Sequence, residues 1–163
     1  SGAAVGLGQV QVQGLGWLPS WFLPSNTSSP GAILEPGGAA VFPGVYTVAF
    51  AQSASAPTFA ESEEGATFLS DLAEYANYPD VPAFPHCVWA YQIGGTLEQV
   101  FAKMTEPTRD DFMAQLRSIS GYTAPLMLEG ASVDTTVDGD PAVSGVTVQK
   151  YNGKGYALAE TFG

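Results

Sequence analysis

The sequence predicts an α/β fold, and three observations carry the prediction. Apolar residues recur at spacings of three and four through residues 88–104, which is typical of an amphipathic helix. Residues 44–50 (GVYTVAF) are β-branched and aromatic and are apolar on both faces, which predicts a buried strand. Asn-Gly at residues 152–153 separates the apolar runs 145–150 and 156–159, and this pattern predicts a β-hairpin.

The N-terminal part of the chain carries weaker signals. Residues 1–14 fit two patterns, because residues 9–13 (QVQVQ) alternate with the period of a strand while residues 4–15 also place apolar side chains on one helical face. Residues 21–23 (WFL) predict a short strand between two prolines. Residues 25–43 are rich in Ser, Pro and Gly and predict loops, with a short helix near residues 32–35.

Helices dominate the middle of the chain. Residues 64–77 predict a helix with one apolar stripe and with acids near its start, where the helix dipole favours them. A loop is expected over residues 81–85, which contain two prolines, before the long helix at 88–104. Thr108 is expected to cap a further helix that extends to about residue 118. Residues 130–140 are acidic and predict turns.

Composition excludes several classes of protein. The chain has 163 residues, of which 45% are hydrophobic, so it can bury a sizeable core, and no apolar run approaches the ~20 residues of a membrane span. Lys and Arg total 5 against 16 Asp and Glu, and this net charge of -11 argues against a nucleic-acid partner. The single cysteine, Cys87, can form neither an intrachain disulfide nor a thiolate metal cluster.

Five stretches of the sequence share their order with the motifs of one known family. They are residues 14–23 (GLGWLPSWFL), residues 44–50, residues 88–91 (VWAY) with the long helix, residues 108–119 (TRDDFMAQLRSI) and residues 146–155 (VTVQKYNGKG). They resemble, in that order, a helix-to-strand step, a strand, two helices and the C-terminal hairpin of the branched-chain amino-acid type of periplasmic binding protein. The resemblance is to the C-terminal portion of such a protein.

The resemblance implies a type I periplasmic-binding-protein-like α/β fold, of which this chain covers only the C-terminal part. Such a fold has two lobes that close on a ligand. Residues 1–50 would then belong to the second lobe, residues 51–125 would return to the first lobe, and residues 126–163 would return to the second. On this alignment the opening segment is a helix.

The implied function is that of a non-enzymatic, extracytoplasmic receptor that delivers a small molecule to an ABC importer. The ligand would be an amino acid, an amide or a small carboxylate. The expected partners are that ligand, a membrane ABC permease and the missing N-terminal portion of the same receptor, and no cofactor is expected. The location would be the periplasm or the cell surface, and a lipid anchor would have to lie on an upstream segment.

Two groups of residues are predicted to contact the ligand. Ser25, Asn26 and Thr27 offer hydroxyl and amide groups after a strand, and α/β sheets bind ligands at the carboxyl ends of their strands. An ordinary turn would explain the same residues equally well. Members of the resembling family often carry an acid near this loop to hold a ligand ammonium group, and none stands at residues 25–29, which argues against a plain amino acid.

The second group precedes and opens the long helix, where the resembling family places an aromatic residue against its ligand. His86, Trp89 and Tyr91 are available for that role, although packing of the helix onto the sheet is an alternative explanation. His86 is the only histidine, so a multi-histidine metal site is excluded. The acids of residues 134–140 lack the spacing of a calcium loop, and no metal site is expected.

Two other functions remain open from the sequence. The same fold could serve as a sensory or regulatory ligand-binding domain that signals through a partner. An α/β hydrolase would need a nucleophile, a base and an acid, and His86 would have to supply the base. In that case replacement of His86 by alanine should abolish turnover.

Overall fold

The computed structural model describes residues 2–28, 30, 44–54, 56, 58–76, 85–153 and 155–159. The helices are α1 (Gly2–Gly14), α2 (Glu63–Tyr75), α3 (Pro85–Lys103) and α4 (Arg109–Leu116). The strands are β1 (Trp21–Leu23), β2 (Val45–Ala49), β3 (Ser132–Val133), β4 (Val143–Ser144), β5 (Thr147–Tyr151) and β6 (Tyr156–Leu158). The predicted short helix near residues 32–35 lies outside the described residues.

One four-stranded sheet joins the two ends of the chain. Its order is β1-β2-β5-β6, with β1 parallel to β2 and the remaining pairs antiparallel. The predicted hairpin is confirmed, since Tyr151 pairs with Tyr156 and the amide of Asn152 donates to the carbonyl of Gly155 at 3.0 Å. Strands β3 and β4 form a separate two-stranded ribbon.

The first three residues of strand β2 are buried, as its composition predicts, whereas Val48 is exposed. Val45, Tyr46 and Thr47 are consecutive and all buried, so neither face of the sheet is open to solvent at this point. Val45 packs with Leu23 and Tyr151 from the strands on either side. The hydroxyl of Thr47 donates to the carbonyl of Leu23 at 2.9 Å, which satisfies the buried side chain.

Helix α1 packs on that core through Val5, whereas helices α2, α3 and α4 pack in two other clusters. One cluster places Phe68 of α2 and Val88 of α3 against Phe59 and Leu126. The other places Val100 of α3 against residues between Ile119 and Val133. No helix in the described part of the chain combines the length and apolar character that a bilayer span requires.

Helices α2 and α4 begin with side-chain caps. The hydroxyl of Ser62 accepts from the amide of Gly65 at 3.0 Å and opens α2. The hydroxyl of Thr108 accepts from the amide of Asp111 at 3.2 Å, which confirms the predicted cap of α4. Helix α3 begins at Pro85, earlier than the predicted residue 88, because proline is well suited to the first helical position.

Two segments lie side by side between the sheet and the helices. They are residues 50–52 and 126–128, which we call the crossing segments, and they run antiparallel with Ala51 opposite Met127. The amide of Gln52 donates to the carbonyl of Leu126 at 2.8 Å, and the amide of Leu128 donates to the carbonyl of Phe50 at 2.9 Å. Residues 127–133 then pack with the helices. The assignment of residues 1–50, 51–125 and 126–163 to two lobes stays a prediction.

The start of α2 leaves no space for a side chain at Gly65. A Cβ atom there would overlap the carbonyl oxygen of Phe59, which is backbone and cannot rotate away. We therefore expect Gly65→Ala to lower the free energy of unfolding by about 1–3 kcal/mol in chemical denaturation. Gly94 of α3 is the matched control, since nothing lies within 4 Å of its added Cβ. Gly94→Ala should be neutral or stabilising by up to ~1 kcal/mol, and equal losses in both variants would contradict the packing.

Candidate functional site

A cleft lies beyond the carboxyl ends of β1 and β2. Its walls come from the turn after β1, from β2 and the crossing segment that follows it, from the first turns of α3, and from the C-terminal hairpin. The lining residues are Ser25, Ser28, Pro30, Thr47, Ala49, Phe50, Ala51, Gln52, Ser53, Ala54, Trp89, Gln149 and Tyr156. A cleft at this edge of a sheet is where α/β proteins bind ligands.

The residues predicted after β1 separate in the structure. Residues 25–27 form a 3-10 turn. Ser25 lines the cleft, and its carbonyl accepts from the hydroxyl of Ser28 at 3.0 Å. Asn26 is exposed, and the hydroxyl of Thr27 donates to the carbonyl of Pro24 at 3.2 Å. Ser25 therefore faces the cleft, while Asn26 and Thr27 are not among its lining residues, and ligand contact by all three stays a prediction.

The residues predicted at the start of α3 also separate. Trp89 lines the cleft and stacks on Phe50, with ring centroids 6.1 Å apart and planes inclined by 23°. His86 is exposed and meets the Trp89 ring edge-on at 5.0 Å, so it supports Trp89 from outside the lining. The aromatic packing proposed as the alternative explanation is therefore present at this helix start, together with a place for Trp89 in the cleft.

Tyr91 faces a different groove, between α2 and α3. Its ring meets Phe68 edge-on, and its hydroxyl donates to Oδ2 of Asp71 at 2.5 Å. This hydrogen bond, with burial as a smaller cause, raises the pKa of Tyr91 to about 12. The structure thus does not bring Tyr91 together with Trp89, because residues two apart on a helix point in different directions.

The sequence reasoning missed most of the cleft. Phe50, Gln52 and Ser53 follow β2 as residues 24–27 follow β1, so the same rule on strand ends would have found them. Gln149 and Tyr156 are more than 90 residues further along the chain. They reach the cleft only through the pairing of β5 with β2, whose register cannot be read from local patterns.

A carboxylate behind the cleft holds both crossing segments. Oε2 of Glu64 accepts from Nε2 of Gln52 at 3.0 Å and from the amide of Leu126 at 3.1 Å. Leu126 is buried and has a φ of 61°, a conformation that leucine rarely adopts. Glu64 is therefore a positioning residue for one wall, because it satisfies the backbone at this strained point and orients Gln52.

The described residues contain no group of three or more His, Cys, Asp or Glu arranged to hold a metal ion. Asp134, one of the acids between residues 130 and 140, instead accepts hydrogen bonds from the hydroxyl and amide of Thr136 and from the hydroxyl of Ser120. These bonds, the one from the Thr136 hydroxyl foremost, lower the pKa of Asp134. Asp134 thus serves local structure.

Comparison with known proteins rests on structure, since no protein-family model and no curated protein sequence matches this chain. A branched-chain amino acid ABC transporter protein from Thermus thermophilus, crystallised with bound valine, superimposes with a TM-score of 0.67 at 12% identity. It covers 94% of this chain and 41% of its own length. A candidate branched-chain amino acid ABC transporter protein from Rhodospirillum rubrum superimposes with a TM-score of 0.58 at 17% identity. That match covers 93% of this chain and 40% of the Rhodospirillum rubrum protein.

The chain therefore spans about two fifths of the length of the solved proteins that it matches. Its α/β fold is that of part of a type I periplasmic binding protein, as the resemblance implied. At this level of identity the similarity establishes the fold, and ligand and activity must be argued from the cleft.

The hydrogen bond between Tyr91 and Asp71 predicts a titration at high pH. A tyrosine with a raised pKa favours the folded state below the ordinary pKa near 10, and this contribution is lost as pH rises towards about 12. In Asp71→Asn, which removes the charge but keeps an acceptor, the pKa of Tyr91 should fall back towards 10.0. The ultraviolet absorbance of tyrosinate measures this shift, with Tyr91→Phe to assign the transition, and an unchanged curve would contradict the contact.

The role of Glu64 is tested against its neighbour Glu63. Both acids lie in the first turn of α2, so both variants lose the same favourable interaction with the helix dipole. Glu64→Ala also loses two hydrogen bonds. Its free energy of unfolding should therefore fall about 1–2 kcal/mol below that of Glu63→Ala in chemical denaturation. Equal stability of the two variants would show that the hydrogen bonds of Glu64 do not stabilise the cleft wall.

Proposed function

We propose that this chain forms part of the ligand cleft of an extracytoplasmic solute-binding receptor that delivers a small molecule to an ABC importer in the membrane. The ligand class is an amino acid, an amide or a small carboxylate. The fold supports this proposal, because the solved proteins with the same architecture are described as ABC transporter proteins and one of them holds valine.

The observation that carries the proposal is the position of Trp89 across from the strand ends. Trp89 and Phe50 give the cleft an aromatic side, and Ser25, Gln149 and Tyr156 give it hydrogen-bonding groups. Small-molecule sites combine apolar walls with a few polar groups that fix orientation. Elements from both ends of the chain and from its middle converge here, as a site between lobes requires.

The partners in this proposal are the N-terminal portion of the same receptor and the membrane permease, which would receive the loaded receptor. This chain spans about two fifths of the length of the solved proteins that it matches, which supports a partner that supplies the rest of the receptor.

The function is tested by titrating the protein with amino acids, their amides and small carboxylates in an isothermal calorimeter. At least one solute should bind with a dissociation constant in the micromolar range or below. Trp89→Ala should weaken its binding about tenfold or more, because it removes one side of the cleft. Trp17→Ala is the control, since Trp17 is 64% exposed and lies outside the lining residues.

Absence of binding across the whole panel would overturn the receptor function. Equal binding by the Trp89→Ala and Trp17→Ala variants would place the ligand elsewhere on the protein. Turnover of any bound solute that is lost in His86→Ala would instead favour the hydrolase.

A further inference from the structure

One polar group in the cleft wall has no partner of its own. The hydroxyl of Tyr156 is buried and makes no hydrogen bond within the described part of the chain. The other unpaired buried side chains there, Gln9 and Gln92, do not line the cleft, whereas Tyr156 does. A buried hydroxyl without a partner costs free energy of about 1–3 kcal/mol, so its retention at a ligand site needs a reason.

The state of this phenol is set by its surroundings. Burial raises the pKa of Tyr156, and the nearby Ser28 hydroxyl lowers it in part, although the two hydroxyls do not meet in hydrogen-bond geometry and Ser28 donates to the carbonyl of Ser25 instead. The phenol is therefore protonated at neutral pH and can donate one hydrogen bond. Its ring is held by Tyr151 across the hairpin, with centroids 5.3 Å apart, so the hydroxyl is fixed in position before a ligand arrives.

The same wall carries no charge. The protein has a net charge of -11, yet every lining residue in the described part of the cleft is an uncharged type. An ionised ligand group placed against such a wall would lose its hydration without gaining a counter-charge. Stacked Phe50 and Trp89 instead offer a flat apolar surface.

We infer, as a refinement that rests on the proposed function, that the ligand presents to this wall an uncharged, planar group bearing a hydrogen-bond acceptor. The planar part lies against the Phe50–Trp89 side, and the acceptor oxygen receives the hydrogen bond of the Tyr156 hydroxyl. Tyr156 is thus a specificity-determining residue, since its hydroxyl can donate to a carbonyl oxygen, while the uncharged wall around it gives an ammonium group no counter-charge.

The charge selectivity is tested with benzamide and benzylammonium, which have similar shape and differ in charge and in the carbonyl. Saturation-transfer NMR on the protein should give benzamide a dissociation constant about tenfold lower or more, because one hydrogen bond is gained and no charge is buried. Equal or tighter binding of benzylammonium would overturn the inference, and so would the failure of benzamide to bind.

The role of the hydroxyl is tested with Tyr156→Phe. Benzamide binding should weaken about fivefold to tenfold, the effect of one lost hydrogen bond. The melting temperature should stay equal or rise, because the variant removes a buried group that makes no bond in the described fold. Tyr122→Phe is the matched control: its hydroxyl donates to the carbonyl of Gly95 at 3.2 Å, away from the cleft, so that variant should lose stability and keep its affinity.

The two proposals fail differently. If Tyr156→Phe binds benzamide as tightly as the unchanged protein while Trp89→Ala still weakens binding of the panel solute about tenfold or more, the inference on Tyr156 is wrong and the receptor function stands. If Tyr156→Phe instead loses affinity for benzamide and also melts at a lower temperature than Tyr122→Phe, the hydroxyl is structural and the inference is again wrong. Loss of every solute from the panel is instead a failure of the receptor function itself.

Discussion

The pairing of β2 with strands from both ends of the chain is the constraint on which the rest of the structure depends. On one side β2 is parallel to β1, and on the other it is antiparallel to β5, which begins about a hundred residues later. Thr47 lies opposite Leu23 of β1 and Gln149 of β5, and its hydroxyl donates to the carbonyl of Leu23, so this residue joins both pairings. That register brings Gln149 and Tyr156 to the cleft.

Much of the fold follows from local patterns. The apolar strand at 44–50, the helix with acids at its start, the cap at Thr108 and the Asn-Gly hairpin all have short-range physical causes and all occur. Residues 1–14 show the limit of such reasoning. Their alternation fits a strand equally well, and Gln9 is buried in the helix that forms. Tertiary packing decides such segments, and it cannot be read from their own residues.

The site was less accessible to sequence reasoning than the fold. Ser25 and Trp89 were reachable because strand ends and helix starts are common places for ligands. The aromatic type of Tyr91 favours a ligand contact, but the helix directs this side chain towards Asp71. The tie from Glu64 to Gln52 and Leu126 joins positions up to 62 residues apart, and no spacing rule connects a helix acid with a leucine in a left-handed conformation.

The crossing segments have a further consequence for how this cleft can change. Their mutual bonds join Gln52 and Leu128 to carbonyls of the backbone, so they do not depend on which side chains stand at positions 50 or 53. Gln52 is the exception, because its own side chain is tied to Glu64. The groups that choose a solute are thus largely separate from those that hold the walls. Thr47 is also part of the scaffold, because it is buried and its hydroxyl bonds β1 to β2. A library randomised at the lining positions other than 47 and 52 should retain the scaffold in most members, which makes this cleft a favourable starting point for directed evolution.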